Sequence, residues 1–216
     1  MMAARELRDE SELIRVLQSD PGALAELFTR HRERLWRMVH VRLDRRLHGR
    51  IDPDDVLQEA FLDAAKRLSH FTREDGQSFY VWLRLIVGQT LIDVHRRHLG
   101  AQGRDAGREV ALKGGGGGAP GASSASLAGE LIAQLTPPSR AAIRAEAASR
   151  LEDALDGMEP IDREVLVLRH FEELSNGEVA QVLGIQPKAA SIRYVRAIAR
   201  LKAILSQFPE FGEDLV

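Results

Sequence analysis

SNGEVAQVLGIQPKAASIRYVRAIARLK, residues 175–202, is the stretch on which the reading of the whole chain turns. Ser175-Asn176-Gly177-Glu178 has the Ser-x-x-Glu form of a capping box, in which the first and fourth side chains satisfy free amides at a helix start. Val179, Ala180, Val182 and Leu183 supply that helix with an apolar face. Gly184 then provides a turn, Ile185 an apolar anchor, and Pro187 suits the first position of a second helix, where its missing amide is not needed. The second helix should run to about Leu205. Between Gln186 and Ala203 it carries Lys188, Arg193, Arg196, Arg200 and Lys202 with no acid, a local charge of +5. A short helix, a Gly turn and a cationic second helix is the arrangement that lays the second helix in a major groove. Lys188, Ser191 and Tyr194, near its start, are the expected base or phosphate contacts. The competing reading is a surface helix whose charges simply face water. Against it, Arg193, Arg196 and Arg200 recur at helical spacing without acidic partners four residues away.

Upstream, every apolar pattern is also helical. Leu24, Leu27, Phe28, Leu35, Trp36 and Val39 repeat at three, four and seven, as do Val56, Leu57, Ala60, Phe61, Ala64 and Leu68. Phe79, Leu83, Ile86, Thr90 and Val94 mark a third long helix, and Ala141 to Leu155 and Asp162 to Phe171 read as two more. The chain is therefore expected to be all-α, with an N-terminal helical bundle over residues 10–99 and a helix-turn-helix unit over 139–206.

Between them, residues 100–138 hold five consecutive glycines, Gly114 to Gly118, with Pro120, Ser123, Ser124, Pro137 and Pro138. Such a segment has little to bury and reads as a flexible linker; as a Gly-rich coil it would span about 35 Å and let its flanking units sit well apart. Leu127, Leu131, Ile132 and Leu135 interrupt it at helical spacing, so a short helix over 127–135 is expected to dock on something. A phosphate-cradling loop would need Lys-Ser/Thr after its last glycine, and Ala119-Pro120 follows instead.

Charge is unevenly distributed in the N-terminal unit. Between Phe28 and Arg50 eight arginines (Arg30, Arg32, Arg34, Arg37, Arg42, Arg45, Arg46 and Arg50) face only Glu33 and Asp44, a net +6 that can follow a phosphate backbone. Asp52, Asp54, Asp55, Glu59 and Asp63 then reverse the sign. Some of these carboxylates can cap a helix and oppose its dipole. The polar strip that continues through Gln58, Glu59 and Asp63 is either a solvated face or an acidic docking surface. The third helix is preceded by Phe71 and opens with Phe79, Tyr80 and Trp82. Phe79, Trp82, Leu83 and Ile86 share a face, which favours a core role for Trp82. Tyr80 points elsewhere and is the better candidate for stacking an unpaired base.

The whole-chain figures exclude several classes. Lys plus Arg number 30 against 32 Asp plus Glu, a net charge of -2, which argues against a uniformly basic coat but not against local patches. With no cysteine there is no disulfide frame, thiol nucleophile or Cys-ligated zinc. The charged start, MMAARELRDE, does not read as a signal peptide, and no apolar run approaches the ~20 residues of a membrane span, so a cytoplasmic chain without membrane contact is expected. His95 and His98 lack an obvious third ligand, and no catalytic constellation stands out, so neither a metal, a cofactor nor an enzymatic activity is expected.

DPDDVLQEAF at 52–61, FYVWLRLIVGQTLIDVHRR at 79–97 and the segment from Leu151 to Lys202, in this order, resemble an extracytoplasmic-function sigma factor of the sigma-70 family. The resemblance implies that Asp52, Asp55, Gln58 and Glu59 dock on the clamp helices of the RNA polymerase large subunit, with the polymerase flap as a further contact. It implies that Phe79, Tyr80, Trp82, Arg84, Arg96 and Arg97 bind the single-stranded minus-ten element during promoter melting. It further implies that Lys188, Ser191, Arg193, Tyr194 and Arg196 hold the double-stranded minus-thirty-five element, and that an anti-sigma factor is a candidate partner. Ala189-Ala190 departs from the Thr-Val often found in the group, and the linker is longer than is common there. The alternative, from another class, is a helix-turn-helix transcriptional regulator that acts without polymerase.

Overall fold

The computed structural model describes residues 10–17, 19–71, 78–100, 119–135 and 141–208. The described residues are helical, in the order α1 (Glu10–Val16), α2 (Pro21–Arg42), α3 (Pro53–Arg67), α4 (Phe79–Leu99), α5 (Ser124–Leu135), α6 (Ala141–Asp156), α7 (Pro160–Leu166), α8 (Asn176–Leu183) and α9 (Pro187–Leu205). A π-helical turn over Val167–Phe171 extends α7. The Gly114 to Gly118 run and Pro137-Pro138 lie outside the described residues.

Local chemistry sets the helix starts. The Asp20 carboxylate accepts from the Gly22 amide at 2.9 Å ahead of Pro21, and the Asp52 carboxylate accepts from the Asp54 amide at 2.9 Å ahead of Pro53. Both arms of the capping box before α8 are formed: the Glu178 amide donates to Ser175 Oγ at 3.2 Å and the Ser175 amide to the Glu178 carboxylate at 2.8 Å. Gly184, at φ +63°, then takes the left-handed conformation that turns α8 into α9.

The two units, which a flexible linker would allow to sit apart, are packed together. One continuous core joins Leu27, Leu35, Leu57, Leu83 and Leu91 of α2 to α4 with Val165, Leu168, Leu174, Val179 and Ala190 of the C-terminal unit. A second joins Val41 of α2 to Leu127 and Ile132 of α5, Leu151 and Leu155 of α6, and Leu201 and Ile204 of α9. The apolar stripe within the linker has thus found its surface within the same chain. It forms α5, which begins three residues before the expected 127, and Glu130 on it pairs with His40 of α2 at 3.1 Å.

The two glycines bracketing α8 should behave oppositely. Gly184→Ala is expected to lower unfolding free energy by about 1–2 kcal/mol through left-handed strain. Gly177→Ala, helical and with nothing within 4 Å of an added Cβ, should leave it unchanged or raise it. Urea denaturation followed by circular dichroism measures both.

Candidate nucleic-acid and protein-docking site

The expected recognition helix, α9, buries Ala190, Ala197, Leu201 and Ile204 against its own unit. Ala190 is fully buried, which suits a small residue where α9 crosses α8. The opposite ridge is exposed, with Lys188 and Ser191 followed by Ile192 and Val195, 59% and 67% exposed. Large apolar side chains so open to water are unusual on this molecule. Neither stands out in the sequence, where the charges of this helix dominate.

Arg193 and Arg196 are already paired. Arg193 donates to Asp162 at 3.0 Å, and Arg196 to Asp162 at 3.0 Å and Glu159 at 3.1 Å. Acidic partners are indeed missing along α9. They come instead from the start of α7, more than thirty residues earlier. Tyr194 is half-buried, with its hydroxyl 3.2 Å from His170 Nε2 and the Arg169 guanidinium 5.1 Å from its ring centre. Burial, reinforced by Arg169, pushes the His170 pKa down, so the ring is held neutral as a hydrogen-bond partner.

On α3, Asp55, Gln58 and Glu59 are exposed along one edge. Asp52 is also exposed and is the carboxylate that caps the helix. Asp54 pairs with Arg32 at 2.6 Å and Glu59 with Arg97 of α4 at 2.6 Å. Beside this edge runs a groove of about 450 Å³ between α2 and α3, lined by Phe28, Leu57, Phe61 and Leu62, the last 59% exposed, and by Gln58 and the Arg32–Asp54 pair.

The residues expected to meet single-stranded DNA divide sharply. Arg96 and Arg97 are exposed at the end of α4. Phe79, Tyr80, Trp82 and Arg84 are buried. Phe79 stacks edge-on with Phe71 at 5.2 Å and lies 5.5 Å from Trp82, forming an aromatic core. Tyr80, expected to be the free stacking ring, is only 1% exposed because the Arg34 guanidinium covers it at 3.7 Å. Its hydroxyl is buried without a hydrogen-bond partner among the described residues, and burial raises its pKa well above the ordinary value, with Glu172 adding to the shift.

Arg84 is buried because the C-terminal unit covers it. Its guanidinium donates to the Glu172 carboxylate at 2.6 and 3.3 Å and lies 3.6 Å from Glu164. Arg42 of α2 pairs with both Glu164 and Glu172. Arg34 donates to the Glu172 and Glu173 carbonyls at 3.2 and 3.3 Å and to the Glu178 carboxylate at 3.2 Å, and Arg37 grips the Glu173 carboxylate at 2.5 and 2.9 Å. Glu173 holds a left-handed backbone, φ 55°, in this grip. No sequence period marks Glu164 or Glu172; their importance appears only once Arg42 and Arg84 are opposite them.

Burial alone would raise the Glu172 pKa, but Arg42, Arg84 and Arg34 together hold it below its ordinary value. A depressed folded-state pKa contributes stability that is present above the unfolded value of 4.5 and is lost as pH falls through the folded one. Glu172→Gln, which leaves Arg42 and Arg84 buried with less compensation, is expected to cost about 3 kcal/mol. Denaturant titrations at pH 7 and pH 3 should show the gap between wild type and variant narrowing at the lower pH.

Comparison with known proteins places both halves. The family model "Sigma-70 region 2" matches residues 27–99 and "Sigma-70, region 4" matches 148–201, together more than half of the chain. The ECF RNA polymerase sigma factor SigD of Mycobacterium tuberculosis strain H37Rv is 27% identical over 195 residues, 90% of this chain and 82% of SigD. The RNA polymerase sigma factor CarQ of Myxococcus xanthus is 29% identical over 189 residues, 86% of this chain and 90% of CarQ. Among solved structures, CnrH in complex with the cytosolic domain of CnrY has a similar fold, with a TM-score of 0.53 and 24% identity over 93% of this chain and 98% of that one.

Proposed function

Since the chain belongs to the extracytoplasmic-function sigma factors of the sigma-70 family, we propose a division of its surfaces among core polymerase, melted DNA and duplex DNA. It is a non-enzymatic RNA polymerase sigma factor that directs transcription initiation. Asp52, Asp55, Gln58 and Glu59 dock on core polymerase at the clamp helices, with the polymerase flap as a second contact. Arg96 and Arg97, exposed at the end of α4, take the single-stranded minus-ten element, while Phe79, Tyr80, Trp82 and Arg84, buried in the closed chain, shape the helix that presents them. Lys188, Ser191, Arg193, Tyr194 and Arg196 hold the minus-thirty-five duplex. The units correspond to residues 10–99 and 139–206, joined through 100–138, and the site of action is the cytoplasm, where the polymerase works.

The observation that carries this reading is the exposed acidic edge of α3 beside an apolar groove on the same chain as a helix-turn-helix. A regulator that bound only duplex DNA would have no use for that edge. An apolar groove with a carboxylate rim suits a protein helix bearing basic flanks. CnrH was solved with CnrY, and a comparable protein regulator is proposed here, since a chain whose two units already touch presents one surface for such a partner to cover.

To the duplex-reading residues we add Ile192 and Val195. Apolar side chains on the outward ridge of a recognition helix are suited to the 5-methyl groups of thymine in a major groove. Lys188 at the start of the ridge supplies phosphate contact.

Asp55→Arg should weaken binding to core polymerase by about tenfold while leaving the thermal melt of the isolated chain in place. Tight, sequence-specific binding to duplex promoter DNA without polymerase, indifferent to that change, would favour the stand-alone regulator instead. For the ridge, replacing thymine by uracil across the minus-thirty-five element should weaken holoenzyme binding by several-fold. Ile192→Ala combined with Val195→Ala should abolish that sensitivity, as a competition gel shift would reveal.

A further inference from the structure

Beside the apolar core that joins the two units, guanidinium groups on one side meet carboxylates on the other. Arg34, Arg37 and Arg42 lie along one side of α2, and Arg84 joins them from α4. Glu164, Glu172, Glu173 and Glu178 face them from the segment running from α7 into α8. Four positive groups meet four negative ones, and every arginine belongs to the unit proposed to bind melted DNA.

We propose that Arg34, Arg37, Arg42 and Arg84 form a cradle for the phosphates of single-stranded nucleic acid, which the four glutamates occupy in the closed chain as internal competitors. The proposal rests on the reading of region 2 as the binder of melted DNA and extends it to a site and a form of control. Three observations support it.

First, the pairing has the form arginine uses for phosphate as well as carboxylate. Arg84 on Glu172 and Arg37 on Glu173 each place two nitrogens on one carboxylate. Second, Arg34 to Arg42 cover about 12 Å along α2 at the helical rise, enough for a few nucleotides. Tyr80 lies under Arg34 within this cradle, with its hydroxyl unpartnered among the described residues. Third, a buried ion-pair network is a weak net source of stability, because each charge has lost its water. A polyanion offering the same oxygens can displace it. Arg42 and Arg84, almost wholly buried in the closed form, have no paired anion once the C-terminal unit leaves.

Because the chain has no cysteine, Lys66→Cys and Lys202→Cys can carry a donor and acceptor dye, one on each unit of the full-length protein. The probe is a twenty-nucleotide thymidylate oligomer. Energy transfer should fall as the oligomer is added, more than with sodium chloride of matched ionic strength. Glu172→Gln with Glu164→Gln should shift the midpoint to roughly tenfold lower oligomer, since the competitor is weakened. The affinity should fall with salt at a log-log slope near −3 for four phosphate contacts, and Arg34→Ala with Arg37→Ala should reduce that slope by about 1.4.

Should the buried variants fail to fold by circular dichroism, Glu173→Gln at the exposed edge is the replacement, with a smaller shift in the same direction. Oligomer binding, seen by fluorescence anisotropy, without loss of energy transfer would overturn the proposal, as would a midpoint indifferent to the glutamate changes. Opening by poly-glutamate but not by the oligomer would overturn it in favour of an acidic protein segment. The underlying minus-ten reading has its own arm: Arg96→Ala with Arg97→Ala, both outside the cradle, should impair promoter opening by the holoenzyme. If they do not, that reading fails whatever the energy transfer shows.

Discussion

Glu172 is the point from which the arrangement of the two units is best understood. It is fully buried, and its carboxylate lies between Arg42 of α2 and Arg84 of α4. Such a charge is tolerable only while its partners stay in place, so the C-terminal unit is held in one position against the N-terminal bundle. Apolar contact alone would tolerate sliding, because hydrophobic burial has little directional preference. The ion pairs add register. They also fix side chains within the N-terminal unit, because Arg34, which lies over Tyr80, is itself held by the Glu172 carbonyl.

The starts of α8 and α9, the α8–Gly184–α9 turn and the core stripes of α2, α3 and α4 were legible in the sequence because each depends on residues within a few positions of one another. Ser175 and Glu178 are three apart, and Gly184 needs only its own backbone. The acidic edge of α3 was legible for the same reason. The state of the arginines was not. Arg193 and Arg196 lack acids along their own helix, yet Asp162 reaches both from α7. Arg84 was expected at the minus-ten element from the resemblance, and its partners lie 80 and 88 positions later. Pairing at such separations leaves no periodic trace in a single sequence. Tyr80 was misjudged for a related reason: helical periodicity finds the face turned away from the helix's own apolar stripe, but it cannot tell that Arg34 of α2 lies over that face.

The net charge of -2 has the same explanation at a larger scale. The cationic run of α2 and the carboxylates around α7 and α8 cancel in the total, and they also meet in space. Near-neutrality here reflects complementary surfaces brought into contact as much as opposed surfaces serving separate partners. The exposed cations that remain, including Lys188, Arg96 and Arg97, are those the closed arrangement leaves facing water.

The bridge between Glu59 and Arg97 joins two surfaces with different assignments, the acidic edge of α3 and the cationic end of α4. Neither group can serve two counterions fully at once. A protein that claims Glu59 therefore leaves Arg97 a better cation, and an anion held by Arg97 leaves Glu59 a better carboxylate. Thermodynamic reciprocity makes the two effects equal in size. Both side chains are about half exposed, so the coupling is limited to about 1 kcal/mol. That bias, present in the resting chain, makes each of the two binding events slightly favour the other.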